Sequence, residues 1–248
     1  MQVTPIKTHV ITEKDANLLK IIDQYIPDLK EKSVVAITSN IVSICEGRIV
    51  EGDKEKRDEL VPEESQWYIP RELNAYGFCY TITRNTLMAS AGIDQSNADN
   101  KLTLWPEDPQ KTVNVVREFL CKKFNLKYIG VIITDSRLLP FRWGVVGICI
   151  AHSGFKALKD YRGTPDLFGR PFNMEQASMS ECLATATVLV MGEGAEQTPL
   201  ATVTDLPFIE FQDRNPTKQE LDALLISPEE DVFWPLLKNA DWKKGKKR

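Results

Sequence analysis

The stretch Tyr128-Ile-Gly-Val-Ile-Ile-Thr-Asp-Ser136 decides how the rest of the chain is interpreted. Its apolar part is rich in β-branched residues and predicts a strand buried inside a sheet. Asp135 stands at the carboxyl end of that strand, which is a common position for a metal-binding carboxylate. A capping role in a turn or helix is the alternative for the same residue. The stretch therefore predicts a buried strand that ends in polar groups.

Regular elements are predicted on both sides of this strand. The predicted strands cover residues 3–11, 33–43, 78–89, 128–134, 143–151 and 200–204, and the predicted helices cover residues 14–26, 111–124, 174–191 and 228–240. Strands and helices do not alternate regularly, which favours an α+β fold, with mixed sheets and packed helices, over a doubly wound sheet. The chain has neither the glycine-rich motif of a Rossmann site nor that of a P-loop. We expect one unit of residues 1–248, with two intertwined subdomains as the alternative.

Composition excludes several classes of protein. The 248 residues carry a formal net charge of -4, which argues against general nucleic-acid binding. The basic residues 243–248 are interpreted as a solvated terminus, with an interaction arm as the alternative. No signal peptide is recognised, and no run approaches the roughly 18 apolar residues of a membrane helix. We therefore expect a cytoplasmic protein that does not bind membranes.

Cysteine and histidine usage limits the metal chemistry. The five cysteines are widely scattered and form no Cys-x-x-Cys pair, so buried reduced thiols are expected instead of a zinc or redox motif. With only two histidines, His9 and His152, a histidine-rich metal site is excluded. Any metal ion must be bound mainly by oxygen atoms, which points to magnesium, manganese or calcium.

One long predicted loop, residues 92–109, carries a polar cluster. Loops of this length are more often functional than structural. The cluster Ser90-Ala-Gly-Ile-Asp-Gln-Ser-Asn97 offers the carboxylate of Asp94 beside amide and hydroxyl groups, which suits a hydrated divalent cation or a polar ligand. An Asx-turn around Asp94 is the structural alternative.

Two further clusters contain charged side chains. Residues 160–170 combine two acids with Arg162 and Arg170, and Arg142 lies closer to Asp135; these arginines suit phosphate or carboxylate groups, or surface ion pairs. The stretch Met191-Gly-Glu-Gly-Ala-Glu-Gln197 places acids after the end of a predicted helix, where the helix dipole disfavours them. Acids in that position hint at a compensating cation.

These clusters, taken together, resemble the coenzyme F420-0:γ-glutamyl ligase family over nearly the full length of the chain. The resemblance rests on segments that occur in the same order as in the family: Pro5-Ile-Lys-Thr8, Ser39-Asn-Ile-Val-Ser-Ile-Cys-Glu-Gly-Arg48, Ala91-Gly-Ile-Asp-Gln-Ser-Asn97, Pro106-Glu-Asp-Pro109, Thr134-Asp-Ser136, Arg142, Gly144-Val-Val-Gly147, Asp160-Tyr-Arg-Gly163, Phe168-Gly-Arg170 and Val190-Met-Gly-Glu193.

The resemblance implies a homodimeric ligase that joins L-glutamate to an acidic acceptor through a γ-linked amide, with GTP as co-substrate and magnesium or manganese as the metal. It assigns the metal to Asp94, Asp135 and Ser136, with either Gln197 or Glu193 as a further metal contact. It assigns the nucleotide to Pro5, Ile6, Lys7, Thr8, Ser39, Met191, Gly192 and Glu193. We assign catalysis to Asp94, Asp135 and Arg142, and substrate binding to Asn97, Arg162 and Arg170; the arginine roles are inferred from charge alone.

The chain also departs from the family. Asn40 and Ile44 stand where many relatives carry lysines in a stretch that contacts the nucleotide. Loss of those charges weakens the expectation of GTP as the nucleotide and of F420-0 as the acceptor. A γ-glutamyl ligase for a folate-type acceptor and a non-catalytic nucleotide- or ligand-binding homologue are the alternatives.

Overall fold

The structure is a computed structural model and describes residues 1–73 and 75–247. Its strands are β1 (Gln2–Ile6), β2 (Ser33–Thr38), β3 (Ile49–Glu51), β4 (Trp67–Ile69), β5 (Tyr80–Thr83), β6 (Thr86–Ala89), β7 (Lys101–Thr103), β8 (Ile129–Leu138), β9 (Val145–Ser153), β10 (Leu158–Asp160), β11 (Gln176–Ser178), β12 (Leu200–Thr204) and β13 (Lys243–Lys244). Its α-helices are α1 (Leu18–Tyr25), α2 (Ser39–Cys45), α3 (Lys54–Glu64), α4 (Pro109–Phe124), α5 (Met179–Met191), α6 (Lys218–Asp222) and α7 (Trp234–Leu237). Short 3₁₀ turns lie at Arg71–Leu73, Ser90–Gly92 and Pro228–Glu230.

A mixed sheet of five strands, in the order β1-β12-β2-β8-β9, forms the centre of the fold. Strands β2 and β8 pair in parallel, whereas the other neighbours pair antiparallel. A four-stranded sheet, β13-β4-β5-β6, and two short ladders, β3-β7 and β10-β11, lie outside it. The predicted α+β class with mixed sheets is confirmed. The prediction of a single unit stays a prediction.

The central sheet is buried on both faces. Side chains alternate across a strand, so Val35 and Ile37 of β2 pack into one apolar cluster while Val34 and Ala36 pack into another. The first cluster includes residues of α1, α2 and α4, and the second includes residues of α5. Burial of both faces explains why β2 and β8 read as continuous apolar runs instead of alternating ones.

The predicted strand at residues 33–43 is wrong in its second half. The strand ends at Thr38, and α2 begins at Ser39. Because Ile41, Val42 and Ile44 are all buried against the first cluster, α2 needs no polar face and its apolar run resembles that of a buried strand. Tertiary packing therefore overrides the β propensity of the run.

Helix α4 shows how local signals fix an element. The side chain of Asp108 accepts a hydrogen bond from the Lys111 amide (3.0 Å), and Pro109 occupies the first turn, where its missing N–H costs nothing. Asn125 ends the helix in the left-handed conformation. The predicted helix at residues 111–124 is confirmed by this element.

Other predicted boundaries need correction. The strand predicted at 3–11 stops at Ile6, the strand predicted at 78–89 is the hairpin β5-β6, and the helix predicted at 174–191 begins only at Met179, after β11. The loop predicted at 92–109 contains β7, and the helix predicted at 228–240 reduces to a 3₁₀ turn and α7. Short strands and single helical turns are too brief to produce a periodic signal.

The basic tail was predicted as a solvated terminus; Lys243, Lys244 and Lys246 are exposed, but the prediction missed that the backbone of the tail is docked. Lys243 and Lys244 pair with β4 as strand β13, and the Gly245 amide donates to the Gln66 carbonyl (2.8 Å). The Lys247 ammonium pairs with Glu107 (3.0 Å). Backbone pairing and acidic partners, neither visible in a lysine run, hold the segment on the protein. Arg248 lies outside the described residues.

Two further expectations concerned buried cysteine thiols and the absence of a membrane helix. All five cysteines are free; Cys79 is buried as predicted, whereas Cys45, Cys121 and Cys149 are half-buried and Cys182 is exposed. Burial raises the pKa of the Cys45 and Cys79 thiols to about 11, so both are neutral at physiological pH. In the part of the chain that the structure describes, no helix has the length and apolar character that crossing a membrane requires.

We predict that Gly154→Ala destabilises the fold by more than about 3 kcal/mol. Gly154 has a φ of +82°, and an added Cβ would collide with the Ile129 carbonyl and lie 2.8 Å from Arg117 Nε. Gly163→Ala is the matched control, since Gly163 has a similar φ (+78°) but open space around it; its expected cost is about 1 kcal/mol. Chemical denaturation measures both, and equal losses of stability would contradict the role of the close contact.

Candidate functional site

Parallel pairing of β2 and β8 brings two polar side chains to one edge of the central sheet. Thr38 and Thr134 are opposite each other, so the residues that follow, Ser39 and Asp135, lie side by side. The Ser39 hydroxyl donates to Asp135 Oδ2 (2.9 Å). Asp135 was predicted to follow the strand, but it lies within β8, which continues to Leu138; its side chain is joined to the first residue of α2.

A β-bulge lies next to Asp135. The pairing of β8 with β9 shifts between Ile133, opposite Ala151, and Thr134, opposite Cys149, so Ile150 is the extra residue. Bulges re-aim side chains and are frequent beside active sites. Here the bulge changes the register of β9 immediately before Asp135.

The carboxylate of Asp135 is half-buried and accepts several hydrogen bonds. Burial raises its pKa to about 6, and the nearby charge of Asp94 acts in the same direction. The Ser136 amide donates to Oδ1 (2.6 Å), and the Trp105 indole donates to Oδ2 beside the Ser39 hydroxyl. These donors favour the charged form and offset only part of the burial cost. A bound cation would favour the ionised carboxylate further.

Asp94 adds a second carboxylate from the loop after the 3₁₀ turn Ser90–Gly92. Its side chain accepts hydrogen bonds from the Ser96 amide (3.0 Å) and the Ser96 hydroxyl, so the Asx-turn considered as its structural role does form. Backbone bonds with Thr103 hold the start of the loop (3.0 and 2.7 Å). Asp94 is close enough to Asp135 to help raise the pKa of that carboxyl, and acids with perturbed pKa values cluster at functional sites.

Ser136 and Glu193 connect the sheet edge to the end of α5. The Ser136 hydroxyl lies 2.7 and 2.9 Å from the two Glu193 carboxylate oxygens. Glu193 follows Gly192, the residue that caps α5. The acid that the sequence placed unfavourably after a helix therefore accepts a hydrogen bond from the strand that carries Asp135.

The segments predicted to contact a nucleotide meet each other. The Thr8 amide donates to the Gln197 carbonyl (3.0 Å), which joins the end of β1 to the segment 191–197. The Asn97 amide group donates to the Gly194 carbonyl (3.1 Å), which joins the Asp94 loop to the same segment. Predicted residues from five separate parts of the chain therefore converge around Asp135 and Glu193.

The three predicted arginines are not part of this cluster. Arg142 is exposed on the connection between β8 and β9. Arg162 forms an ion pair with Asp160 (2.6 Å), which lowers the pKa of Asp160 to about 2, and the Arg170 amide donates to Asp166. Over the described residues, none of the three forms an ion pair or hydrogen bond with Asp94, Asp135 or Glu193. Their roles stay predictions.

The donors at this site suit a hard cation. Asp94, Asp135, Ser136 and Glu193 offer only oxygen, as magnesium and manganese require. Across residues 1–73 and 75–247, no three His, Cys, Asp or Glu side chains converge into a metal cage. Magnesium is usually held by one or two carboxylates together with substrate phosphates, so the pair Asp94 and Asp135 fits a metal ion that can also contact the phosphates of a nucleotide.

Sequence reasoning missed one residue of the site. Trp105 donates to Asp135, yet its only signal was its position directly before the quoted motif that starts at Pro106. Ile44, where the resemblance implies a lysine, is 9% exposed and belongs to the core cluster that holds α2. An apolar residue at this position therefore fits the packing of the core.

Asp135 gives a prediction for pH. When folding raises the pKa of an acid, its contribution to stability is fully present at pH values below its pKa in the unfolded chain. That contribution is lost as the pH rises through its pKa in the folded protein. In metal-free buffer, a rise from pH 5 to pH 7.5 should therefore cost the wild type about 1 kcal/mol more than Asp135→Asn, which cannot ionise. Urea denaturation at both pH values tests this, and identical changes in the two proteins would contradict it.

Comparison with known proteins places these residues in a family. The family described as F420-0:Gamma-glutamyl ligase matches residues 5–205. A coenzyme F420:L-glutamate ligase from Methanopyrus kandleri is 34% identical over 227 residues, which is 83% of this chain and 87% of the relative. Its counterpart from Methanocaldococcus jannaschii is 31% identical over 235 residues, or 88% and 90% of the two chains.

A third relative of the same name, from Halorubrum lacusprofundi, is 32% identical over 216 residues, or 77% of this chain and 82% of the relative. The matched region 5–205 contains every residue predicted for the site, from Pro5 to Gln197. With this match and these identities over most of its length, the chain belongs to the F420-0:γ-glutamyl ligase family.

Proposed function

We propose that this protein is a cytoplasmic γ-glutamyl ligase that joins L-glutamate to coenzyme F420-0, with GTP as co-substrate and magnesium or manganese as the metal. One observation carries the proposal. The segment 191–197 contacts the segments of both carboxylates, through Asn97 on the Asp94 loop and through Ser136 beside Asp135, and it also contacts Thr8 of the other segment assigned to the nucleotide. The names of the relatives supply the acceptor and the amino acid.

The chemistry requires an activated carboxylate, because a free carboxylate resists attack by an amine. In the proposed reaction the terminal phosphoryl group of the nucleotide passes to the acceptor carboxylate. The amine of glutamate then attacks the carbonyl carbon, phosphate leaves and the amide forms. A bound metal ion would neutralise the triphosphate charge. Asp94 and Asp135 would hold that ion, and Ser136 together with Glu193 or Gln197 would complete its protein ligands.

We assign nucleotide and substrate contacts to the residues around the two carboxylates. Residues 5–8, Ser39 and residues 191–193 would hold the nucleotide, and the junction of Thr8 with Gln197 fixes two of these segments relative to each other. Asn97, which donates to Gly194, would lie at the border between nucleotide and acceptor. Arg142, Arg162 and Arg170 would bind carboxylates of glutamate or of the acceptor, as their charge suggests.

We also propose that the protein forms a homodimer, as the family resemblance implies. Large apolar side chains are almost fully exposed on two connections, at Phe141 and Trp143 and at Leu167 and Phe168. Exposed aromatic groups of this size are typical of surfaces that associate. They support an interface that includes the connection between β8 and β9.

We predict that Asp94→Asn lowers ligation by more than about 100-fold, because a lost metal ligand should cost more than the 10–100-fold typical of its supporting residues. Asp99→Asn is the matched control, since it makes the same change on the same loop at an exposed acid. Mass spectrometry of the product, with L-glutamate, GTP, Mn²⁺ and F420-0, measures both. Full activity of Asp94→Asn would contradict the metal role.

The same assay with a reduced folate in place of F420-0, and with ATP in place of GTP, decides the acceptor and the nucleotide. A product heavier by one glutamyl unit with F420-0 supports the proposal. A product with the folate and none with F420-0 would show that the acceptor is a folate. Nucleotide binding without any product would indicate a non-catalytic homologue.

A further inference from the structure

The Trp105 indole lies between the two carboxylate-bearing segments of the site. Trp105 is 4% exposed and packs against Met88 and Ile148. Its Nε1 donates to Asp135 Oδ2, the oxygen that also accepts from Ser39. A buried indole N–H needs an acceptor. If Trp105 served only in packing, a backbone carbonyl would be a sufficient acceptor. Here the acceptor is the carboxylate assigned to the metal.

The hydrogen bonds of Asp135 leave one acceptor position open. A carboxylate has about four acceptor positions. Ser39 and Trp105 occupy those of Oδ2, and the Ser136 amide occupies one on Oδ1. Because these donors come from three separate segments, they fix the plane of the carboxylate. They leave the remaining position of Oδ1 for a ligand.

Gly92 makes the approach of the indole possible. A Cβ at Gly92 would collide with Trp105 Nε1 and would lie 2.9 Å from Cδ1. Gly92 immediately precedes Ile93 and Asp94, so the indole packs against the loop that carries the second carboxylate. The glycine of this motif therefore serves a close contact between the Asp94 loop and the donor of Asp135.

Hydrogen bonds from two arginines hold the backbone of Trp105 and of the two residues that follow it. Arg48 Nε donates to the Trp105 carbonyl (3.1 Å), and Arg84 Nη2 donates to the Pro106 carbonyl (3.1 Å) and the Glu107 carbonyl (2.6 Å). The Glu107 side chain pairs with Arg48 (3.2 Å) and with Lys247 of the tail (3.0 Å). Two arginines and the docked tail thus restrict the segment that carries the indole.

We propose that Trp105 is a positioning residue that orients the Asp135 carboxylate for the divalent cation. The inference rests on the proposed function, in which Asp135 holds that cation. Trp105 acts through Asp135, as a supporting hydrogen bond orients a metal ligand. Without the indole N–H, Oδ2 keeps only the Ser39 hydroxyl, and the carboxylate can rotate away from the orientation that binds the ion.

The test compares Trp105→Phe with Trp242→Phe. Both variants keep an aromatic ring and lose an indole N–H, but that of Trp242 donates to the Leu237 carbonyl (2.9 Å), away from the site. Electron paramagnetic resonance of free Mn²⁺, with MnCl₂ added to the protein alone, gives the dissociation constant. Trp105→Phe should weaken Mn²⁺ binding about 10-fold or more, while Trp242→Phe should match the wild type. Circular dichroism checks that each variant folds.

Indole NMR of the wild type and Asp135→Asn gives a second readout that needs no change at Trp105. With ¹⁵N-labelled tryptophan, one of the indole resonances should shift in Asp135→Asn. The same resonance should respond to MgCl₂ in the wild type and not in the variant. Wild-type Mn²⁺ affinity in a folded Trp105→Phe, or no indole shift in Asp135→Asn, would overturn the inference. A wild type that binds no Mn²⁺ would overturn it too, whereas the proposed ligase activity is judged separately by product mass.

Discussion

The site depends on one pairing, the parallel contact of β2 with β8 inside the central sheet. Both strands are covered on both faces, so their register is fixed by burial, because a slip of one residue would exchange the two apolar clusters. Parallel strands end at the same edge of a sheet. The register therefore places Ser39 beside Asp135 without help from any loop. The other parts of the site lie around that pair.

Burial of Asp135 gives the site its chemical character. A carboxylate out of water is costly unless donors or a cation compensate it, and the donors present leave its pKa raised. The strand supplies the backbone donor, α2 supplies a hydroxyl, and the segment before α4 supplies an indole. The cation that we propose would stabilise the ionised form of this carboxylate, because a bound cation is often the largest local charge in a site.

The elements predicted well are those whose signals are local. Helix α4 has a cap, a proline and an amphipathic repeat, and β12 coincides with its predicted residues 200–204. Predictions failed where tertiary burial changed the pattern, as in α2, which is buried all round and resembles a strand. They also failed where the partner was distant in sequence, as for the tail that pairs with β4.

The class of fold, the family and the oxygen-rich chemistry of the site could be predicted from the sequence, because they follow from residue types and from motifs that are contiguous in the chain. Which polar groups meet depends on the folded structure. Ser136 reaches Glu193 and Trp105 reaches Asp135 across large separations in the chain, whereas Arg142 and Arg162 remain apart from the acids. Such contacts depend on strand register and helix packing, which no local pattern encodes.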